Sequence, residues 1–165
     1  MANQLQNVDH SAIRTNQATI IVLLLAAFIL NLPWLVTIVA LVMLAGTIVR
    51  RPGFAMFLYA RWLKPMGWVR PDVLKDNPEP HLFAQGFGGL VLVISSLGFV
   101  LGSTALGWAL AWLVVALAAL NLFGGFCVGC AVYYWLNRLN VPGFIKSPPQ
   151  GTFPGMRPRR GSHAE

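Results

Sequence analysis

The chain has 165 residues, of which 56% are hydrophobic and only 10% are charged, and its mean hydropathy is +0.64. Charged residues make up about 25% of a typical soluble domain, so this composition argues against that class and favours an integral membrane protein. The net charge of +7 does not predict a nucleic-acid partner. The Lys and Arg residues flank hydrophobic segments, where they set topology and contact anionic lipid headgroups.

The N-terminal part predicts a polar segment followed by a helical hairpin. Residues 1–17 are polar and are expected to lie on a membrane face; a signal peptide is the alternative, but no small-residue cleavage site follows the first apolar run. Two apolar runs lie at about 18–32 and 34–49. Pro33 favours a turn between them and Trp34 suits the membrane interface. We predict two short antiparallel helices, with one long helix kinked at Pro33 as the alternative.

The segment 50–80 is the longest predicted connection between helices. It carries six Lys and Arg residues and five prolines. An apolar stripe from Phe54 to Leu63 predicts a short helix lying in the headgroup region, although an aromatic belt with basic anchors explains the same residues. The predicted lipid-facing anchors are Arg50, Arg51, Arg61, Trp62 and Lys64.

Two more spans are predicted at about 81–101 and 105–136. A single helix over the second range would be roughly 48 Å long, which exceeds the bilayer core of about 30 Å. Either its end projects into water or Gly124-Gly125 divides it. Residues 147–165 lack apolar periodicity and predict a disordered basic tail. The expected fold is therefore an all-α membrane domain over 1–146, with four transmembrane helices arranged as two antiparallel hairpins and a short interfacial helix between them.

The distribution of basic residues predicts the orientation of the chain. The turn at 31–34 and the connection at 102–104 contain none, whereas 50–80 has six and the C-terminal part has five. The positive-inside rule then places both termini and the 50–80 segment in the cytoplasm. We expect a multi-pass protein of the cell membrane with the lipid bilayer as its main partner. The start of the third helix and the end of the fourth would meet on the cytoplasmic side.

The two cysteines, Cys127 and Cys130, form a C-x-x-C motif near that cytoplasmic boundary. Residues three apart share one face of a helix, and Gly125 and Gly129 are spaced for close approach of a second helix. Two such thiols can form a disulfide, supply half of a metal site, or simply pack. Zinc in a structural site takes about four ligands, and this chain offers two thiols and a distant His, so we expect no metal; a site shared by two chains is the alternative. No cofactor is expected. Free backbone N–H groups at a helix start would stabilise a thiolate, whereas apolar burial would raise its pKa.

Two residues at the start of the third span are candidate supporting groups. His81 is the only histidine that the predicted topology places near the cysteines, and it could accept a proton or be an ordinary interfacial residue. Gln85 lies one turn further along the same face. We expect it to bond across to the fourth helix or to cap the site.

These motifs resemble those of an uncharacterised bacterial family of small four-helix integral membrane proteins, a domain of unknown function. Its members carry a Phe-Ala-Gln motif and a Gly-Phe-Cys-x-Gly-Cys motif, which read here as Phe83-Ala84-Gln85 and Gly125–Cys130. The resemblance covers most of residues 48–138. Some relatives are associated with thioredoxin-like or sulfurtransferase proteins, which implies thiol or sulfur chemistry. Many relatives have an acidic residue after the second cysteine, where this chain has Ala131.

Two functional hypotheses follow. In the first, Cys127 and Cys130 exchange disulfide or sulfur with a soluble partner, which the resemblance implies is thioredoxin-like or a sulfurtransferase. In the second, the chain is a non-catalytic subunit or scaffold of a larger membrane complex, and its cysteines and glycines serve helix packing. No nucleotide-binding loop or nucleophile elbow supports another enzymatic activity. Whether the chain is an enzyme stays open at this point.

Overall fold

The computed structural model describes residues 5–49, 72–149 and 151–158. The predicted interfacial helix and the five predicted lipid anchors lie outside these residues. The described part is mostly helical and also contains one antiparallel pair of strands. In chain order its elements are β1 (Gln6–Asp9), α1 (His10–Ile29), α2 (Pro33–Val49), β2 (Val73–Asp76), α3 (Pro78–Val100), α4 (Thr104–Gly124) and α5 (Val128–Arg138).

The first two helices form a hairpin with a tight turn, and not one kinked helix. Asn31 adopts a left-handed conformation with φ of 50°, which Asn tolerates better than most residues. The Leu32 N–H donates to the Ala27 carbonyl at 2.8 Å, and the Asn31 N–H donates to the Phe28 carbonyl at 3.1 Å. These two bonds satisfy carbonyl groups at the end of α1 as a Schellman motif does. Pro33 then begins α2, where its missing N–H costs nothing.

Three helices, α1, α3 and α4, are long and apolar enough to span a membrane, and α2 contains a shorter apolar segment at Pro33–Ile48. Many large apolar side chains on these helices are exposed, among them Ile48, Val100 and Leu41. A soluble protein rarely exposes so much contiguous apolar surface. The described helices therefore support association with a lipid bilayer.

The helices pack in a layered bundle in which α3 has a central position. It contacts α2, α4 and α5, while α1 contacts α2 and α4. The core between the helices is built from aliphatic side chains, with Leu92 of α3 fully buried. Ser95 is also fully buried, and its hydroxyl donates to the Gly107 carbonyl at 2.7 Å, which joins α3 to α4. The core residues are Ile20, Leu24, Ala27, Val36, Val39, Ala40, Met43, Leu92, Ala111, Val114 and Val115.

The long apolar run predicted as a fourth span is two helices, α4 and α5. The chain leaves α4 at Gly125, whose φ of 63° is left-handed and suits glycine. Its N–H donates to the Asn121 carbonyl at 3.1 Å. Two residues later Cys127 has an extended backbone and caps the start of α5. The glycine pair therefore divides the run and places the cysteines at a helix N-terminus.

The sequence predicts an all-α fold and does not predict the paired strands. β1 and β2 are antiparallel, with Gln6 opposite Asp76 and Asp9 opposite Val73. Both strands lie in polar segments beside apolar helices, so hydropathy gives no sign of them. Asp9 also ends β1 and starts α1, because its carboxylate accepts the Ser11 N–H at 3.0 Å as an N-cap does.

Part of the C-terminal tail, predicted to be disordered, has a defined place against the cysteine loop. Phe126 and Met156 form an isolated antiparallel bridge. The Arg157 N–H donates to the Gly125 carbonyl at 3.1 Å, and the Arg157 side chain forms an ion pair with Asp72. Backbone pairing holds this segment, which explains why the sequence has no apolar periodicity there.

The crossing of α5 over α3 depends on the absence of a side chain at Gly129. A Cβ added there would lie 2.5 Å from the Ala84 Cβ and 2.7 Å from the Ala84 Cα, so backbone would have to move. Gly129 thus faces Ala84, and the close approach of a second helix that its spacing predicts is present. Gly88, one turn further along α3, lies instead against Met43 of α2, whose Cε would be 3.0 Å from an added Cβ.

We predict that Gly129→Ala lowers the thermal midpoint of the purified protein, because overpacking costs about 1–3 kcal/mol. Gly124→Ala is the matched control, since its Cβ would meet only the Leu120 Cδ1 at 3.3 Å and alanine is the better helix former. Thermal unfolding in detergent, followed by circular dichroism, compares the two. Equal midpoints for both variants would show that the close crossing does not limit stability.

Candidate functional site

Cys127 and Cys130 are joined in a disulfide at the start of α5. Their Cα atoms are 5.2 Å apart, within the range that a disulfide needs. Both residues are buried, with exposed fractions of 5% and 3%. The Cys127 Sγ accepts the Cys130 N–H at 3.1 Å. Because the first N–H groups of a helix have no partner within the helix, this sulfur satisfies one of them, as an N-cap side chain does.

The C-terminal segment covers one side of this loop. The Cys127 N–H donates to the Gly155 carbonyl at 2.8 Å. Gly155 has a left-handed φ of 87°, and a Cβ there would lie 2.8 Å from both the Cys127 carbonyl oxygen and the Ala131 Cβ. Only glycine therefore fits at this point. The backbone of the cysteine loop is held by its own helix on one side and by residues 155–157 on the other.

His81 from the first turn of α3 contacts the disulfide. Its Nδ1 lies 3.5 Å from the Cys130 Sγ, and its Nε2 lies 3.0 Å from the Asp76 Oδ2. One imidazole therefore connects a sulfur atom to a buried carboxylate. Asp76 is the last residue of β2, and Asn77 between it and α3 is fully buried.

A second histidine, His10, reaches the same carboxylate. Its Nε2 lies 3.2 Å from the Asp76 Oδ2, and its ring meets the ring of His81 edge to face at 5.6 Å between centroids. His10 is the first residue of α1, and its N–H donates to the Asp72 carbonyl at 2.9 Å. The starts of α1 and α3 and the end of β2 thus place two imidazoles around one carboxylate.

The carboxylate of Asp76 is ionised because its surroundings donate to it. Burial alone would raise its pKa, but hydrogen bonds with His10 and His81 and the Asn77 N–H, together with the attraction of a charged His81, hold the pKa well below its usual range. The Asn77 N–H donates to Asp76 Oδ1 at 2.8 Å. An ionised Asp76 fixes the tautomer of a neutral His81, since Nε2 must carry the proton that it donates. Nδ1 is then the acceptor that faces Cys130.

This arrangement suits proton transfer to and from a thiol. Thiolate is the reactive form of cysteine in disulfide exchange. When the disulfide is reduced, the Cys130 thiol lies beside the free Nδ1 of His81, and Asp76 would stabilise the imidazolium that forms. Cys127 has a different environment, at a helix N-terminus where the backbone stabilises negative charge. The two sulfurs therefore have separate means of forming thiolates.

The site residues also form two groups with the spacing of metal ligands. The ligand atoms of His81, Cys127 and Cys130 lie within 4.8 Å of one another, as do those of His10, Asp76 and His81. Metal ions bind thiolates and not disulfide sulfurs. Cys127 and Cys130 could therefore ligate a metal only after the disulfide is reduced.

Two cavities meet at the disulfide. One, of about 280 Å³, is lined by polar and charged residues that include His10, Asp76 and Arg14, and it touches both cysteines. The other, of about 420 Å³, lies between α1, α3 and α4 and touches Cys127. His81 lines both cavities. Although the sulfurs are buried from bulk solvent, they are accessible through these openings.

The structure brings most of the predicted site residues together. Cys127, Cys130 and His81 are in contact, Gly125 provides the helix break, and Gly129 provides the close crossing. Gln85 has another role than expected, because its Nε2 donates to the Met43 carbonyl of α2 at 3.0 Å. It binds neither to the fourth apolar segment nor to the disulfide.

Sequence reasoning missed His10 and Asp76, so His81 is not the only histidine near the cysteines. One signal for His10 was available. Asp9-His10-Ser11 has an N-cap residue before the first apolar run, so α1 can begin at His10. The antiparallel topology then places the start of α1 beside the start of α3. No comparable signal identifies Asp76, because its position depends on the strand pairing.

Asp76→Asn should lower the thermal midpoint at neutral pH, because the amide replaces an ionised acceptor shared by two histidines. A depressed folded-state pKa contributes stability that is present above the unfolded value of 3.8 and is lost as pH falls towards the folded value. The midpoints of wild type and variant, measured from neutral pH downwards, should therefore differ most above about pH 5 and converge below 3.8. A difference that is constant with pH would contradict an ionised Asp76.

A family model described as "Domain of unknown function (DUF4395)" matches residues 8–138. No curated protein matches the chain, and no solved structure matches it. The matched range contains His10, Asp76, His81 and both cysteines. Because the match covers most of the sequence, the chain belongs to the DUF4395 family of proteins of unknown function.

Proposed function

We propose that the protein is a membrane thiol protein that exchanges disulfide or sulfur with a soluble partner through Cys127 and Cys130. The observation that carries this proposal is the buried cysteine pair at a helix N-terminus, with His81 against one sulfur and Asp76 bonded to the other side of the His81 ring. A helix N-terminus and an adjacent base are two ways in which proteins activate cysteine. Packing alone would not require a carboxylate-supported histidine beside the sulfurs.

The exchange step assigns different roles to the two cysteines. A thiolate of a reduced partner attacks the Cys127 Sγ, a partner–Cys127 disulfide forms, and the bond to Cys130 breaks. The Cys130 thiolate takes a proton from the His81 imidazolium. A second partner thiolate then attacks the partner sulfur of the mixed disulfide and releases Cys127 as thiolate. The partner is oxidised to its disulfide, and the cysteine pair is reduced by the same two electrons.

The polar cavity provides the route of the partner to the sulfurs. It touches both Cys127 and Cys130 and contains Arg14, which favours an approaching thiolate or other anion. A partner that presents a thiol on a projecting loop could enter here. Thioredoxin-like and sulfurtransferase proteins, which the sequence resemblance implies as partners, carry reactive cysteines of this kind.

We also propose that α2 spans the bilayer with α1, α3 and α4, which gives four transmembrane helices and cytoplasmic termini. With 17 residues, α2 is at the lower limit for a span. The basic residues in 50–80 and in the C-terminal part support a cytoplasmic location for that end of the bundle. The site would then lie at the cytoplasmic boundary of the inner membrane.

A second candidate function is a non-catalytic subunit or scaffold of a larger membrane complex. It is favoured by the close approach of Gly129 to Ala84 and by the large apolar side chains left exposed on the helices. In that case the cysteines stabilise the start of α5 and do not exchange electrons.

Exchange is reversible, and in the reverse direction the Cys127 thiolate attacks the disulfide of an oxidised partner and the Cys130 thiolate then releases the partner. Cys130→Ser should therefore accumulate a mixed disulfide between Cys127 and the partner in cells, because the thiol that releases the partner is absent. Cys127→Ser should form no adduct, because the proposed exchange with the partner takes place at Cys127 and Cys130 only opens and closes the disulfide. Cells are quenched in acid and analysed on non-reducing gels, and the adduct disappears with reductant. Identical behaviour of both variants, with thiols that maleimide does not label even after reduction, would favour the scaffold.

A reporter fused after Glu165 tests the orientation. A cytoplasmic reporter should be active at this position and a periplasmic reporter inactive, because the flanking segments are basic. The same pair of reporters placed before Met1 should give the same result. A periplasmic signal at the C-terminus would contradict the proposed topology, and opposite signals at the two ends would indicate an odd number of spans.

A further inference from the structure

The larger of the two cavities lies among the helices that can span a membrane. It measures about 420 Å³ and lies between α1, α3 and α4, within the range of ligand pockets, about 300–1,000 Å³. Its walls are mainly apolar, with Ile20, Val91 and Leu117 among them. Cys127 and His81 line the same cavity, so one wall of this largely apolar space carries a sulfur of the disulfide.

Six residues with side-chain amides interrupt the apolar lining, and three of them lie on α1 and α4. Asn16 and Gln17 of α1 and Asn121 of α4 all line the cavity. The Gln17 Oε1 is buried and makes no hydrogen bond within the part of the chain that the structure describes. A buried acceptor without a donor is costly, so this oxygen indicates a ligand that brings a hydroxyl group or an ordered water. Amides suit a ligand whose oxygens alternate between accepting and donating hydrogen bonds.

The disulfide separates this apolar cavity from the polar one. Cys127 and His81 line both, whereas Cys130 lines only the polar cavity. A molecule in the apolar cavity therefore has access to Cys127, and a soluble partner has access to both sulfurs from the other side. This placement suits the transfer of electrons between a water-soluble thiol and a lipid-soluble carrier.

We propose that the apolar cavity binds a lipid-soluble quinone, which reoxidises the Cys127–Cys130 dithiol. This inference rests on the proposed function and names the electron acceptor of the same site. A quinone ring is flat and apolar and fits between helices, and its two carbonyl oxygens accept hydrogen bonds from the amides. After reduction, its hydroxyl groups can donate to Gln17 Oε1.

The reaction balances without another reactant. The dithiol loses two electrons and two protons as the S–S bond forms. The quinone gains both electrons and both protons and becomes the hydroquinone. His81 takes the proton of Cys130 at Nδ1 and, because it also lines the apolar cavity, can pass a proton towards the quinone oxygen. The exchange step and the quinone step together convert a partner dithiol and a quinone into a partner disulfide and a hydroquinone.

An acyl chain is the simplest other occupant of an apolar cavity. It has no oxygen in its tail that could bond to Asn16, Gln17 or Asn121, and it cannot accept electrons from Cys127. A quinone uses both features of the wall, the amides and the sulfur. The two occupants differ in a measurable way, because only one of them changes the oxidation state of the protein.

The test uses the full chain in lipid nanodiscs, reduced with dithiothreitol and freed of reductant without oxygen. The probe is duroquinone, whose ring carbons are all methylated, so thiols do not add to the ring. We expect the wild type to form one duroquinol per chain, measured by absorbance, with loss of both thiols, measured by maleimide gel shift. Cys127→Ser gives the background rate.

A cavity-filling variant and a matched surface variant locate the reaction. Ala118 lines the cavity and Ala116 on the same helix is exposed. Ala118→Phe should slow oxidation by duroquinone at least tenfold while oxidation by water-soluble glutathione disulfide continues at the wild-type rate. Ala116→Phe should leave both rates unchanged. Ala118→Phe oxidised by duroquinone at the wild-type rate would overturn the proposal and leave the cavity to lipid.

The remaining outcomes are also decisive. A wild type that glutathione disulfide oxidises but duroquinone does not would overturn the quinone proposal and leave the proposed function intact. A wild type that neither oxidant affects would overturn both. If Ala118→Phe reacts slowly with both oxidants, it is damaged, and Gln17→Leu decides. That variant should require at least fivefold more duroquinone for half-maximal rate, and an unchanged requirement would overturn the proposal.

Discussion

The buried carboxylate of Asp76 is the constraint on which the site depends. A carboxylate with an exposed fraction of 4% is costly unless it is paired and hydrogen-bonded. It is satisfied by His10, His81 and the Asn77 N–H. These donors come from the starts of two helices and from the link between a strand and a helix. Because residues of α1 and α3 stabilise the same buried carboxylate of β2, these three elements are held together at one end of the bundle. The carboxylate also orients the imidazole that contacts Cys130.

The helices of this protein could be predicted from sequence because their signals are local. Apolar runs indicate the spans, Pro33 indicates the first turn, and Gly124-Gly125 indicates the break before α5. The cysteines could be placed near His81 because basic residues indicate which ends share a membrane side. The strand pair and the C-terminal segment could not be predicted, because backbone hydrogen bonds between distant residues hold them. The position of Asp76, and with it the contact between Asp76 and His10, depends on that strand pairing.

Two features of the site offset the cost of burying a thiolate: a helix N-terminus at Cys127 and an imidazole at Cys130. Apolar surroundings alone raise the pKa of a cysteine. Cys127 is at the N-terminus of α5, and its sulfur already accepts an N–H group in the oxidised state. Cys130 accepts no N–H group from residues 5–49, 72–149 or 151–158, but its sulfur lies 3.5 Å from His81 Nδ1. The break at Gly125 is necessary for both, because a continuous helix from α4 would remove the free N–H groups and would turn the cysteines away from the start of α3.

The residues that carry the chemistry of the site lie within the range of the family match, whereas part of the opening that leads to them lies beyond it. His10, Asp76, His81 and both cysteines lie within residues 8–138. The segment that covers the cysteine loop, with Gly155 and Arg157, lies beyond that range and is held by backbone bonds to Gly125 and Cys127. Since Met156 and Arg157 line the polar cavity, this segment shapes the opening through which a soluble partner would reach the sulfurs. The apolar cavity, in contrast, is lined almost entirely by residues of the matched range, with Gln6 and Asn7 outside it. The walls of the apolar cavity thus belong mainly to the helical domain, whereas those of the polar cavity also depend on the C-terminal segment of this chain.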